Sequence, residues 1–174
     1  MTAGQIRSNA ELKARDPEPA RTLRRCQELG AIDAGALHQL DTYFTVPRGR
    51  LKLREQGPGP SVLVQYVRAD EAEARRSNYI LVEIADSAGL KQALTNSLGI
   101  ACVIEKVRRL FLWEETVRVH VDRVKGLGDF VEIEAVAPAG SDLEREREQA
   151  ERLRQLLGID RSQLVASSYA DLLQ

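Results

Sequence analysis

The sequence predicts an α+β fold, an antiparallel sheet or barrel with helices packed against it. Two observations predict it. Most strand-like segments alternate apolar and polar residues with period two. They also follow one another directly, joined by turn residues, whereas a parallel sheet would interleave them with helices.

The elements run as follows. A strand is expected over about residues 6–15, then a helix over 18–29 that holds Leu23, Cys26 and Leu29 and stops at Gly30. A weaker strand near 40–45 precedes strands at 48–55 and 61–69, which "QGPGP" (56–60) joins. Another strand is expected at 78–85. A helix over 87–98 follows Asp86 and Ser87 and stops at Gly99. Strands at 102–113, 116–124 and 129–137 come next, the last two joined by "KGLGD" (125–129). A helix over 142–157 opens on Ser141 with Glu144 three residues on, a capping box, and stops at Gly158. Residues 168–173 read as a short terminal helix. No linker divides the chain, so residues 1–174 are expected to form a single domain.

Composition narrows the function. Lysine plus arginine (25) nearly balance aspartate plus glutamate (26), which argues against a general nucleic-acid binder. Any anion site must therefore be local. Cys26 and Cys102 have no CxxC spacing and no neighbouring histidine, so neither zinc nor a disulfide framework is indicated. No signal-peptide core or membrane-length apolar run stands out, and the expectation is a soluble, cytoplasmic protein without membrane partners.

Parity then sorts each strand. Asn9, Glu11, Lys13 and Arg15 share a face opposite Ala10, Leu12 and Ala14; Arg50, Lys52 and Arg54 oppose Leu51 and Leu53. Tyr66 and Arg68 share a face, as do Lys106 and Arg108. Arg118, His120 and Asp122 oppose Val117, Val119 and Val121, and Glu132 and Glu134 oppose Val131, Ile133 and Ala135. One polar face is ordinary for an antiparallel sheet in water. Here, however, cations and carboxylates segregate by strand, and the opposite faces are strongly apolar. The helices carry apolar stripes that need a partner, so the apolar faces point out to them and the charged faces line the inside of a closed sheet. A three-residue loop at 126–128 would set Asp122 opposite Glu132 and His120 opposite Glu134, a like-charge arrangement that calls for a cation. A lumen of both signs suits a metal–polyphosphate complex, with Arg and Lys on phosphate and carboxylates on a hard cation.

The segments "NAELKAR", "LHQLDTYFTVPRGRLKLRE", "IEKVRRLFL", "VHVDRVKGLGDFVEIE" and "SSYADLL" come in that order and spacing over about residues 8–173. Together they resemble the CYTH superfamily, the triphosphate tunnel metalloenzymes, and most nearly its class IV adenylate cyclase-like and thiamine triphosphatase-like proteins. The resemblance implies a closed antiparallel eight-stranded barrel with flanking helices. It implies a small-molecule triphosphate as partner and Mg²⁺ or Mn²⁺ as cofactor, and it makes a homodimer plausible. By position, Lys13, Arg15, Arg50, Lys52, Arg54, Arg68, Lys106 and Arg108 would bind the triphosphate. Glu11, Glu132 and Glu134 would hold metal, and Lys13 or Asp122 would help activate the nucleophile. The implied reaction is cyclisation of ATP to cyclic AMP and pyrophosphate. Hydrolysis of thiamine triphosphate, inorganic triphosphate or a nucleotide is the alternative, and a binding protein without turnover is the third reading. One departure from the family's ExExK signature bears on that choice: its first glutamate is Asn9 here, a metal donor without charge.

The remaining polar and aromatic residues get plainer expectations. His120 reads as a polar strand residue and His38 as loop. Tyr43, Phe44 and Trp113 read as packing. Ser167, Ser168 and Tyr169 would dock the C-terminus near the tunnel mouth. Residues 70–78, "DEAEARRSN", read as an exposed loop, with a lid over the entrance as the alternative.

Overall fold

The computed structural model describes residues 7–68 and 74–173, with the backbone alone for Arg68 and Arg75. Eight strands form: β1 (Arg7–Arg15), β2 (Ile32–Phe44), β3 (Arg50–Gly57), β4 (Ser61–Arg68), β5 (Arg75–Ile84), β6 (Ile100–Trp113), β7 (Val117–Val124) and β8 (Gly128–Ala137). Four helices accompany them: α1 (Pro19–Glu28), α2 (Ser87–Leu98), α3 (Glu144–Leu157) and α4 (Tyr169–Leu172). The strands close into an antiparallel barrel in the order β1-β5-β4-β3-β2-β6-β7-β8. Among the described residues no helix is long and apolar enough to cross a membrane.

Alternation decides which way each face points. The apolar faces of β1, β7 and β8 (Leu12, Ala14, Val117, Val119, Val121, Val131, Ile133 and Ala135) turn outward and bury against Cys26 of α1 and Ala150, Leu153 and Leu157 of α3. Each such aliphatic side chain contributes about 1.5–3 kcal/mol when fully buried. The polar faces of the same strands are thereby turned into the barrel, as parity predicts.

The tail closes one end. Beyond Glu11, the edge of β1 is paired with β8 on one side only. Its other edge is taken by the tail, through a bridge from Ala14 to Leu164 and a bond from the Val165 N–H to the Lys13 carbonyl at 2.9 Å. This places α4 against the barrel. Ser168 and Asp171 cap it reciprocally, and Arg50 reaches Asp171 at 2.8 Å. The Tyr169 ring then packs among Tyr43, Tyr66, Ile104, Val124 and Phe130.

Several sequence expectations are corrected. β2 is far longer than 40–45. A register shift against β6 interrupts its start at Asp33–Gly35; beyond it inward and outward positions alternate, but polarity does not, since Leu37 faces the cavity and His38 faces out. β5 begins at Arg75, so 75–78 is strand; residues 70–73 of the expected loop or lid lie outside the described residues. His38, expected in a loop, lies in β2 as well. The Ser141–Glu144 capping box does not form. Leu143, fully buried, takes a left-handed φ of 72° and is the N-cap, two residues after Ser141. Ser141 Oγ instead accepts from the Leu143 N–H at 3.0 Å and donates to Glu146 Oε2 at 2.7 Å. Finally, the β7–β8 turn centres on Gly126 (φ 81°), not Leu127. The register therefore sets His120 opposite Glu132, Arg118 opposite Glu134 and Asp122 opposite Phe130. The expected like-charge pairs across β7 and β8 are absent, but one arises across β1 and β8, where Glu11 faces Glu134.

Candidate functional site: a two-signed tunnel

The barrel encloses a cavity of about 290 Å³. Its cations come from four strands. Lys13 stands on β1, Lys52 and Arg54 on β3, Lys106 and Arg108 on β6, and Arg118 on β7 opposite Glu134, and all six line the cavity. Their carboxylate partners divide into two groups.

Asp41 and Asp122 form the first group, each 1 % exposed. Asp41 accepts from Arg54 Nε and Nη2, both at 2.7 Å, and from Lys52 Nζ at 2.9 Å. Asp122 accepts from Arg108 Nε at 2.7 Å and Nη2 at 2.5 Å, and from the Tyr169 hydroxyl at 2.9 Å. Both arginine contacts are bidentate, the strong form of this pair. Burial alone would raise the Asp122 carboxyl, but Arg108 and Lys106 more than reverse it and hold it at about 2. Burial opposes the charge of Asp41 too, and Arg54 and Lys52 bring its carboxyl well below the usual range. Lys106 lies 3.6 Å from Asp122 and 3.9 Å from Asp41. Its burial, with the Arg108 charge beside it, pushes its ammonium down to about 7. Burial, then the nearby Asp122 carboxylate, pushes the Tyr169 hydroxyl well above its ordinary value.

Glu132, Glu134 and His120 form the second group. Glu132 Oε1 lies 3.3 Å from Lys13 Nζ, and Oε2 accepts from Arg108 at 2.6 Å. Burial works against the Glu132 charge, yet Lys13 and Arg108 keep its carboxyl well below normal. His120 Nδ1 stands 3.7 Å from Glu132 Oε2 and 3.6 Å from Glu134 Oε1. One donor atom from each of the three residues fits within a 4.8 Å span. Lys13 also donates to the Ser167 carbonyl at 3.2 Å and sits 3.9 Å from the Tyr169 ring centre.

A third region is uncharged among the described side chains. β4 and β5 present Val64, Tyr66, Ser77, Tyr79 and Leu81 to the cavity. One arc of the wall is thus apolar and aromatic, facing a charged one.

Of the expected site residues, Glu11, Lys13, Lys52, Arg54, Lys106, Arg108, Glu132 and Glu134 line the cavity together, and Asp122 lies beneath them. Arg15 and Arg50 do not. Arg15 is exposed at the end of β1, 5.1 Å from the Phe130 ring, and Arg50 ties down Asp171. Arg68 ends β4, and its side chain lies outside the described residues. The sequence reading missed Asp41, because β2 was not sorted by parity; Gln39, Asp41 and Tyr43 would have fallen on one face. It also took His120 for an ordinary polar residue, and Tyr43 for packing alone, though Tyr43 lines the cavity.

The donors present fit a divalent ion. His120 Nδ1 and Asn9 Oδ1 are buried without a hydrogen-bond partner, Asn9 lines the same cavity, and two carboxylates flank the imidazole.

The comparisons agree with this architecture. A protein from Pyrococcus horikoshii OT3 superposes with a TM-score of 0.85 at 23% identity, covering 94% of this chain and 98% of that one. A candidate adenylate cyclase from Vibrio parahaemolyticus superposes at 0.78 with 22% identity, covering 98% and 99%. A candidate adenylyl cyclase from Hippeastrum, with a dominant triphosphatase activity, superposes at 0.63 with 16% identity, covering 96% and 93%. At these identities the likeness is one of fold. No curated protein sequence matches the chain. The CYTH domain model matches residues 8–169, and the chain belongs to the CYTH domain family.

Proposed function

We propose that the chain is a divalent-metal-dependent enzyme acting on a triphosphate held in the barrel, and that it converts ATP to cyclic AMP and pyrophosphate. The observation that carries this reading is the convergence of six cations and the His120, Glu132 and Glu134 cluster inside one cavity. The apolar arc of Val64, Tyr66, Tyr79 and Leu81 favours an organic group on the triphosphate over bare inorganic triphosphate.

Phosphoryl chemistry asks mainly for positioning and charge neutralisation. Lys52, Arg54, Lys106 and Arg108 would clamp phosphate oxygens. Glu132 and Glu134, with Glu11 facing Glu134 across β1 and β8, would hold the divalent ion. When bound, the ion would supply neutralisation of charge developing on the phosphate. Asp122 acts through its neighbours: with both oxygens taken, it fixes Arg108 and Tyr169 in place. Lys13, held between Glu132 and the Ser167 carbonyl, would face the attacking hydroxyl.

A second reading, hydrolysis of an organic triphosphate, is favoured by the triphosphatase activity of the Hippeastrum relative. Incubation with ATP and with inorganic triphosphate, with and without Mg²⁺ or Mn²⁺, separates the two. Cyclic AMP with pyrophosphate supports the cyclase, and orthophosphate supports the hydrolase. Neither product, with metal-dependent thermal stabilisation by triphosphate, overturns the enzyme reading and leaves a binder.

A further inference from the structure

His120 is 5 % exposed, and its Nδ1 has no hydrogen-bond partner. A buried, unsatisfied ring nitrogen is costly, and native structures rarely leave one without a reason. The neighbouring carboxylate oxygens stand at 3.6 and 3.7 Å. A charge-assisted hydrogen bond would draw them to about 2.7–2.9 Å. Two donors sharing one tetrahedral ion at about 2.0–2.2 Å each are instead separated by roughly 3.4 Å. The observed spacing is near the second arrangement. Asn9 Oδ1, also buried and unpartnered, lines the same cavity on β1, two residues before Glu11.

We propose that His120 Nδ1 is a metal ligand alongside Glu132 and Glu134, and that this mixed nitrogen–oxygen set makes the tunnel prefer a borderline transition ion over Mg²⁺. The inference rests on the reading that the tunnel holds a divalent ion, and it adds which donors and which class of ion. Imidazole suits transition ions such as Zn²⁺ and Co²⁺, whereas Mg²⁺ calls for oxygen donors alone. With the neutral Asn9 in the place of an acid, the site also carries one fewer negative charge to attract a hard ion. Arg108 and Lys13 each contact one oxygen of Glu132, and a carboxylate oxygen has a second lone pair for the ion. These contacts would hold the carboxylate in orientation.

The test is metal binding on the full chain, read without turnover. Pulsed electron paramagnetic resonance on the Mn²⁺-loaded protein should show coupling to an imidazole nitrogen. The coupling should persist in His38→Gln, which alters the chain's other histidine, and vanish in His120→Gln. Calorimetric titration should show Co²⁺ affinity falling about ten-fold or more in His120→Gln, with Mg²⁺ affinity changing far less. Bound Mn²⁺ without nitrogen coupling, or Co²⁺ affinity unmoved by His120→Gln, overturns the inference while leaving the metal-dependent reading intact. If wild type binds neither Co²⁺ nor Mg²⁺, the metal reading itself falls and the inference with it. The coupling is measured on wild type, so the test does not depend on the variant folding.

Discussion

The floor of the tunnel and its β7–β8 wall use the same chemistry for opposite ends. On the floor, Asp41 and Asp122 are each 1 % exposed and saturated: two-pronged arginine contacts, lysines and the Tyr169 hydroxyl take up their oxygens. On the wall, Glu132 and Glu134 are 15 % and 20 % exposed, and the imidazole between them has an unsatisfied nitrogen. The floor is built to keep cations in a dry place; the wall is built to receive something. The difference also explains how a tunnel this charged stays folded when empty. Asp41 divides its one negative charge between Lys52 and Arg54, and a phosphate entering the tunnel would have to compete with it for those donors.

Breaking the floor should have the largest effect. Asp122→Asn leaves the buried Arg108 with one carboxylate partner fewer and should cost about 3–5 kcal/mol in chemical denaturation. A cost below 1 kcal/mol would erase the distinction between floor and wall.

Acid should act on the same residues. The Asp122 carboxyl is held at about 2 in the folded chain against 3.8 ordinarily, and Glu132 is also lowered. Folded carboxyls shifted down contribute stability above their unfolded values and lose it as pH falls through the folded ones. Stability should therefore drop between pH 3.8 and about 2. Asp122 alone accounts for on the order of 2 kcal/mol of that drop, which thermal unfolding across pH would read.

Lys106 gives a slope of the same sign in a higher pH window, because its folded value is lowered too. Its folded ammonium titrates near 7 and its unfolded one near 10.5, so the unfolded chain binds more protons in between. Stability should rise with pH across that window, and Lys106→Met should flatten the rise.

Sharpening the comparison needs the wall. Glu134→Gln should change stability by less than about 1 kcal/mol, because a partly exposed side chain is being replaced. It should nevertheless abolish the metal dependence of any activity; an unchanged metal response would remove Glu134 from the site. The smallest effect belongs outside the barrel. Lys125 and Glu105, at 2.6 Å, are both largely exposed, and Lys125→Ala should be neutral within about 0.5 kcal/mol.

Much of this was legible in the sequence, because alternation is a local rule. It put Lys52 and Arg54, Lys106 and Arg108, and Glu132 and Glu134 on their correct faces. It also sent the valines of β7 out to the helices. What alternation does not encode is depth along the barrel axis. Arg15 and Arg50 have the right parity, yet they sit at strand ends and serve the rim and the tail. Register was hidden in one glycine: moving the β7–β8 turn centre to Gly126 moves Asp122 from Glu132 to Phe130. Asp41 sits on the inward face that Leu37, Gln39 and Tyr43 also line, and the expected strand at 40–45 covers too little of β2 to show that run. The apolar arc on β4 and β5 was not expected either, since residues 78–85 carry no parity signal of their own and Val64 faces in. Removing Arg54 would take both of its contacts from the buried Asp41, so Lys52→Met is the cleaner probe of phosphate binding.

The central claim is that the tunnel takes a triphosphate together with a divalent ion. Calorimetric titration of the chain with ATP, with Mn²⁺ and then with a chelator in excess, tests it directly. The account predicts a single site that needs the ion and weakens about ten-fold or more in Lys52→Met. Binding that survives both the chelator and Lys52→Met, or no binding at all, would contradict it.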